Sequence, residues 1–288
     1  MNMNSKSFKF RLKRLISQLI RNPIDFLKIF NLKKVINALY QLSNAHVPFK
    51  ELKKNYQINV LFNSLEKIDL VSRVNLINKE FLINETKIEE LEKKYLNNEN
   101  CEKLKDLFNK YGSDKTINSC VYIYFEIFNN FKINSLLEIG LGTNNLKIRS
   151  NMGLNAKPGA SLRAFRDYLG IKIYGADVDK KILFEETNIH TYFIDQLETE
   201  TINNLKKSVP KLDLIIDDGL HQPDANLNVI LNLLEHLNPN GILVIEDIEP
   251  GFIHIFRIIN KIYNNSDHYK SSLLKMKSSY CFLIQNLR

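Results

Sequence analysis

The ten residues Leu212-Asp213-Leu214-Ile215-Ile216-Asp217-Asp218-Gly219-Leu220-His221 constrain this chain more than any other stretch. An apolar run bounded by turn signals suits a central strand of a parallel sheet, buried on both faces. This one ends in two acids and a histidine. Gly241-Ile242-Leu243-Val244-Ile245-Glu246-Asp247 repeats the pattern. Ligands of open α/β sheets bind outside the carboxyl ends of the strands. Two adjacent strands of this kind would set Asp217, Asp218, His221, Glu246 and Asp247 around one crevice. Four clustered carboxylates are costly unless a cation or a reaction needs them. The competing explanation is helix capping, since Pro223 and Pro250 stand where helices could begin. Capping would explain one acid per strand but hardly both.

Other apolar runs also end in acids. Ile133 to Gly142 reads as a strand closing in Glu138-Ile139-Gly140-Leu141-Gly142, whose glycines let backbone approach a ligand closely. A dinucleotide fingerprint would carry a third glycine, and Asn145 stands there instead. An acid just before the turn opposes a pyrophosphate and suits a cationic ligand. The run 171–177 ends in Asp177, placed for ribose hydroxyls. The run 191–196 ends in Asp195-Gln196, near a base. Each residue alone serves equally well as a helix cap, but the ordered series on four strands does not reduce to caps. The polar loop Asn144 to Pro158 has the length of a lid.

Together these segments resemble a family. Tyr111-Gly112-Ser113-Asp114-Lys115, Glu138-Ile139-Gly140-Leu141-Gly142, the run Pro158 to Tyr168, Tyr174-Gly175-Ala176-Asp177, Asp195-Gln196, Asp217-Asp218-Gly219-Leu220-His221 and Ile245-Glu246-Asp247 carry the resemblance. It is to class I S-adenosylmethionine-dependent methyltransferases, in the macrocin/mycinamicin sugar O-methyltransferase and cephalosporin-hydroxylase-like group, and covers roughly residues 110–250. It implies an α/β, Rossmann-like, seven-stranded methyltransferase sheet. The cofactors implied are S-adenosylmethionine and Mg²⁺. Glu138, Gly140, Gly142, Ser161, Asp177, Asp195, Gln196 and Asp217 would surround the first. Asp218, Glu246 and Asp247 would bind the second, and His221 would be the base. The function implied is metal-dependent methyl transfer to a sugar hydroxyl. Leu220 replaces a frequent serine, and Ser119-Cys120 fills a region where the group often has a histidine.

The rest of the chain bears on setting and partners. The net charge of +8 is concentrated in residues 1–54, which carry +10 and leave −2 for residues 55–288. A nucleic-acid enzyme would more often line its cleft with base, so no nucleic-acid partner is expected. Phe8, Leu12, Leu15, Ile16, Leu19 and Ile20 lie on one helical face among basic residues. Such a face predicts either peripheral contact through residues 1–45 with an anionic membrane surface or packing on the body. Leu19 to Pro23, followed by Phe26-Leu27, also resembles leaders of bacterial surface-polysaccharide assembly proteins. Three scattered cysteines imply a reduced, cytoplasmic compartment, with the membrane's inner face as an alternative.

Leu70, Val74, Ile77, Phe81, Ile88, Leu91 and Tyr95 predict a long helix whose stripe packs on its own domain or on a second subunit, so a homo-oligomer is an open expectation. The domains expected are a basic amphipathic helical arm over 1–60, a helical connector over 61–110 and the methyltransferase domain over 111–288. Two other functions compete, a dinucleotide-dependent oxidoreductase and a membrane-surface scaffold. The missing third glycine and Glu138 oppose the first, and the full complement of acids opposes the second.

Overall fold

Leu212, Leu214, Ile215 and Ile216 have no exposed surface, which is what a strand enclosed on both faces requires. They lie in the computed structural model of the chain, which describes residues 85–288. The predicted arm over 1–60 and the connector up to residue 84 lie outside the described residues.

Strands and helices alternate along most of the chain. A short strand β1 (Thr86–Lys87) precedes α1 (Ile88–Lys94), α2 (Glu99–Tyr111) and α3 (Cys120–Asn130). Then come β2 (Ser135–Ile139), α4 (Ala160–Leu169), β3 (Lys172–Asp177), β4 (Glu185–Glu186) and β5 (Ile189–Phe193). The rest is α5 (Thr199–Ser208), β6 (Leu212–Asp217), α6 (Pro223–Leu233), β7 (Leu237–Ile248), α7 (Ile253–Asn264), β8 (Tyr269–Lys275) and β9 (Tyr280–Asn286).

The sheet runs in the order β1-β8-β9-β7-β6-β2-β3-β5-β4. The pairs joining β5, β3, β2, β6 and β7 are parallel, and β9 is antiparallel to both β7 and β8. Seven strands were expected, and nine are seen among the described residues. The two extra, β1 and β4, are two-residue strands at the outer edges. Chain order reverses at β2, whose neighbours are β3 and β6, and such switch points are where open sheets bind ligands.

Alternate strand residues supply two cores. Leu136, Leu214, Ile216 and Val244 join a cluster with Ile88, Leu104, Phe108, Tyr124 and Phe165 of α1 to α4. Leu137, Ile215 and Leu243 point the other way and are equally buried. Removing each such side chain from water contributes roughly 1.5–3 kcal/mol.

The expected long helix through Leu70 to Tyr95 does not run unbroken. Thr86 and Lys87 pair with Leu274 and Lys275 and interrupt it, and α1 starts at Ile88, while Leu70 to Phe81 lie outside the described residues. The chain breaks between α1 and α2: Asn97 adopts φ 61°, and the Asn98 side chain accepts from the Asn100 and Cys101 amides to cap α2. The described part of the connector packs into the core of the sheet, because Ile88, Tyr95, Leu104 and Phe108 complete that cluster.

The Asn238-Pro239-Asn240-Gly241 turn is absorbed into an irregularity of β7. Pairing jumps from Leu212↔Leu237 to Leu214↔Ile242, and Asn240 takes φ 61°.

Candidate active site

The site is built where the chain leaves β2 and β6. Gly140 has φ 95°, and a Cβ there would stand 2.0 Å from the Asp218 carbonyl oxygen. The Asp218 amide in turn donates to the Ile139 carbonyl at 2.8 Å. The two turns therefore touch backbone to backbone, which only glycine permits. Gly140→Ala should destabilise the fold by more than about 2 kcal/mol, the scale of overpacking plus a left-handed Cβ. Urea midpoints would check this, and a variant as stable as the parent would mean the turns are looser than drawn.

Asp217 ends β6 fully buried. It accepts from Gln196 Nε2 (2.7 Å), Asn226 Nδ2 (2.9 Å) and the Gly219 amide (3.3 Å). Gln196 Oε1 accepts from the Leu220 amide at 2.8 Å. Gln196 and Asp217, both expected around the cofactor, thus bond to each other and brace the loop that delivers His221. Burial pushes the Asp217 carboxyl up, and these donors oppose the shift.

His221 and Asp247 share an uncommon backbone, with φ 55° and 49°. Left-handed conformations at non-glycine residues concentrate at functional sites. Asp247 owes its aim to a bulge. Pairing with β9 passes from Ile245↔Phe282 to Ile248↔Tyr280, so β7 uses one residue more than its partner. Glu246 turns into the interior, while Asp247 turns out and accepts from Ser279 Oγ at 2.9 Å.

At the centre of the acids lies Lys115, 2 % exposed. Its Nζ stands 2.6 Å from Glu246 Oε1, 2.9 Å from Asp218 Oδ2 and 3.1 Å from Glu138 Oε1, the last an ion pair without hydrogen-bond alignment. Glu246 also accepts from the Tyr124 hydroxyl, and Glu138 accepts from Ser161 Oγ. Asp218 divides its two oxygens: Oδ2 faces Lys115, and Oδ1 lies 3.8 Å from His221 Nε2. Burial and the Glu246 charge push the Asp218 carboxyl up to about 6 against the pull of Lys115. Burial pushes Glu138 up to about 7, again opposed by Lys115. Asp114 is raised by burial and by the neighbouring Asp218 charge.

The acids therefore form two sets. Asp218, His221 and Asp247 bring one ligand atom each within 4.8 Å of one another, and so do Glu138, Asp218 and Glu246. Asp218 belongs to both. The expected grouping of Asp218, Glu246 and Asp247 is split, because Lys115 and Tyr124 draw Glu246 inward. Neither pair of acids caps a helix. The N-caps of α6 and of the turn at Pro250 are Gln222 and Glu249, and neither side chain makes a capping bond.

Beside this cluster, a cavity of about 230 Å³ opens between the Gly140 turn and the Asp195 loop. Gly140, Asp177, Asp195 and Gln196 line it, as expected for cofactor contacts. Ile148, Arg149 and Ser150 close it on another side, so part of the 144–158 loop stands over the cavity like a lid. Asp177 is tied to the glycine turn, accepting from the Leu141 amide at 2.7 Å and the Asp179 amide at 2.8 Å. Glu138, Ser161, Asp217 and Gly142 do not line the cavity: the first three are buried and bonded behind it, and Gly142 (φ 76°) turns the chain onward.

Sequence reading missed Lys115 and Tyr124 as members of the site. Lys115 ends the Gly-Ser-Asp-Lys segment, but nothing local links it to acids more than 100 residues away. A cluster of carboxylates in want of a cation was the available signal.

No family model matches the chain. MycE methyltransferase from the mycinamycin biosynthetic pathway, in complex with Mg and SAH, superposes with a TM-score of 0.51 at 23 % identity, covering 64 % of this chain and 55 % of that one. The complex of MycE with Mg, SAH and mycinamycin VI gives 0.50 at 21 %, covering 64 % and 53 %. This is a class I methyltransferase fold. In sequence, part of the chain is similar to sugar O-methyltransferases of the macrocin and mycinamicin group. It is 29 % identical over 153 residues to the 8-demethyl-8-alpha-L-rhamnosyl tetracenomycin-C 2'-O-methyltransferase of Streptomyces olivaceus, covering 51 % of this chain and 38 % of that protein. It is 32 % identical over 99 residues to the mycinamicin VI 2''-O-methyltransferase of Micromonospora griseorubida and 34 % over 100 residues to the demethylmacrocin O-methyltransferase of Streptomyces fradiae, each match covering 33 % of this chain and 25 % of the relative. The chain thus spans well under half the length of the curated relatives it matches.

Proposed function

We propose that this chain is a metal-dependent O-methyltransferase that moves a methyl group from S-adenosylmethionine to a sugar hydroxyl. The observation that carries this reading is the convergence of Asp218, His221 and Asp247 within 4.8 Å, beside the cavity under the Gly140 turn. The names of the relatives support a sugar acceptor, and the MycE complexes support S-adenosylmethionine with Mg²⁺.

The residues fit a hard divalent cation. Asp218 and Asp247 offer oxygen donors, and the same cluster already holds a cation of its own in Lys115. Asp218 and Asp247 would hold Mg²⁺, whose charge would make an acceptor hydroxyl easier to deprotonate. S-adenosylmethionine would supply the electrophilic methyl. His221 Nε2 would take the acceptor hydroxyl's proton as its oxygen accepts that methyl and the departing sulfur keeps the electron pair. Gln196 and Asp217 fix the loop on which His221 stands. Asp177 and Asp195 contact the nucleoside part, and Ile148 to Ser150 keep water out.

The acceptor we favour is a sugar of a bacterial surface polysaccharide or its precursor, acted on at the inner face of the membrane with residues 1–45 as the contact. The basic amphipathic pattern of that arm supports this setting. Among the described residues no helix is long and apolar enough to cross a membrane.

Calorimetry with S-adenosylmethionine, with and without Mg²⁺, followed by mass spectrometry of candidate glycans, tests the reading. Cofactor binding and a methyl gain on a glycan are expected. Tight NAD binding with none for S-adenosylmethionine would favour the oxidoreductase instead.

A further inference from the structure

Lys115 takes no part in the chemistry above, yet it is a cation almost wholly enclosed among the acids of the site. Its ammonium touches one oxygen each of Glu246, Asp218 and Glu138 and lies 5.5 Å from the centre of the Tyr124 ring. Burial disfavours the charged form, and the surrounding carboxylates outweigh it. The Ser113 hydroxyl accepts from the Lys115 amide, fixing the short turn that aims the side chain inward.

The division of Asp218 gives this arrangement its consequence. One oxygen serves the ammonium and the other belongs to the set formed with His221 and Asp247. A fixed positive charge thus sits one carboxylate away from where a divalent ion would be held. Two cations sharing a carboxylate repel, and each weakens the pull of that ligand on the other.

We propose that Lys115 is a resident counter-ion that shares Asp218 with the divalent metal, keeping the acids assembled when the metal is away and its binding weak enough to exchange. The inference rests on the metal-dependent reading above. It makes Lys115 a positioning residue that acts on metal affinity. A purely structural lysine would hold the fold without touching that affinity.

The test is titration of the full chain with Mn²⁺, followed by electron paramagnetic resonance, alongside thermal melts in EDTA and in Mg²⁺. Lys115→Met should bind Mn²⁺ at least about ten-fold more tightly than the parent, because ligand charge is no longer shared. Its melting temperature should fall in EDTA and recover with Mg²⁺ by more than the parent gains. Lys115→Gln, neutral but able to hydrogen bond, should behave the same way. Folding of either variant only in Mg²⁺ would equally support the proposal, since the metal then replaces the missing charge.

Three results separate the possibilities. A parent that binds no Mn²⁺ overturns the metal-dependent reading, and this inference with it. A parent that binds, with both variants within two-fold of it, leaves that reading standing and overturns the role of Lys115. Variants that fail to fold even in saturating Mg²⁺ also overturn it, because the metal then cannot substitute for the ammonium.

Discussion

His221→Ala lowers turnover by about 10²–10⁴-fold, the usual contribution of a positioned base, and leaves the affinity for S-adenosylmethionine unchanged. The split follows from placement. His221 Nε2 faces Asp218 Oδ1 at 3.8 Å, while the cofactor cavity is lined by Gly219 and Leu220 and not by the imidazole. The ring is held by the backbone of its loop, with Nδ1 enclosed and making no hydrogen bond. Removing it therefore takes a proton acceptor from the reaction without opening the nucleoside site. Single-turnover rates paired with cofactor calorimetry would show this. Full turnover in the variant would transfer the base role elsewhere, and lost cofactor binding would mean that the loop had collapsed.

The second large effect concerns the metal. Chelation with EDTA should cost about 10³-fold or more in rate, equivalent to several kcal/mol of charge stabilisation. Asp247→Ala should reproduce that loss at little cost in stability, since the one hydrogen bond seen at its side chain comes from Ser279. Asp218→Ala should reproduce it too, but with a lower melting temperature. Asp218 is a partner of buried Lys115, and stripping one member of a buried ion pair costs about 3–5 kcal/mol. Rates in EDTA, and after adding back Mg²⁺, together with melts of both variants, would separate the two roles. Undiminished activity in EDTA would end the metal reading.

The course of the sheet was legible because each central strand announces itself. Leu214-Ile215-Ile216 and Leu243-Val244-Ile245 are enclosed on both faces, and the acids that follow mark the carboxyl ends. The crevice and its histidine follow from those two strands alone. What each acid touches was not legible. Asp217 looked like a ligand contact because it ends a strand, but it lies behind the cavity, bonded to Gln196 and to Asn226 across a turn whose shape the sequence does not state. Glu246 and Asp247 looked like one unit because they are adjacent, but neighbouring strand residues face opposite ways, and Lys115 and Tyr124 hold Glu246 inside. Lys115 was out of reach for the same reason, since its partners arrive from three different strands. Periodicity speaks to burial, and side-chain pairing across the molecule leaves no periodic trace.

The extra residue in β7 makes the active centre unusually sensitive to length. A deletion anywhere from Glu246 to Ile248 would restore an even ladder with β9, and the alternating geometry of a regular strand would then carry Asp247 off its present bearing with no change in the chemical character of the sequence. Relatives that keep this chemistry should preserve the spacing between Ile245 and Ile248 more strictly than the identity of the side chains around it, and transplanting the constellation onto another sheet would require transplanting the irregularity as well.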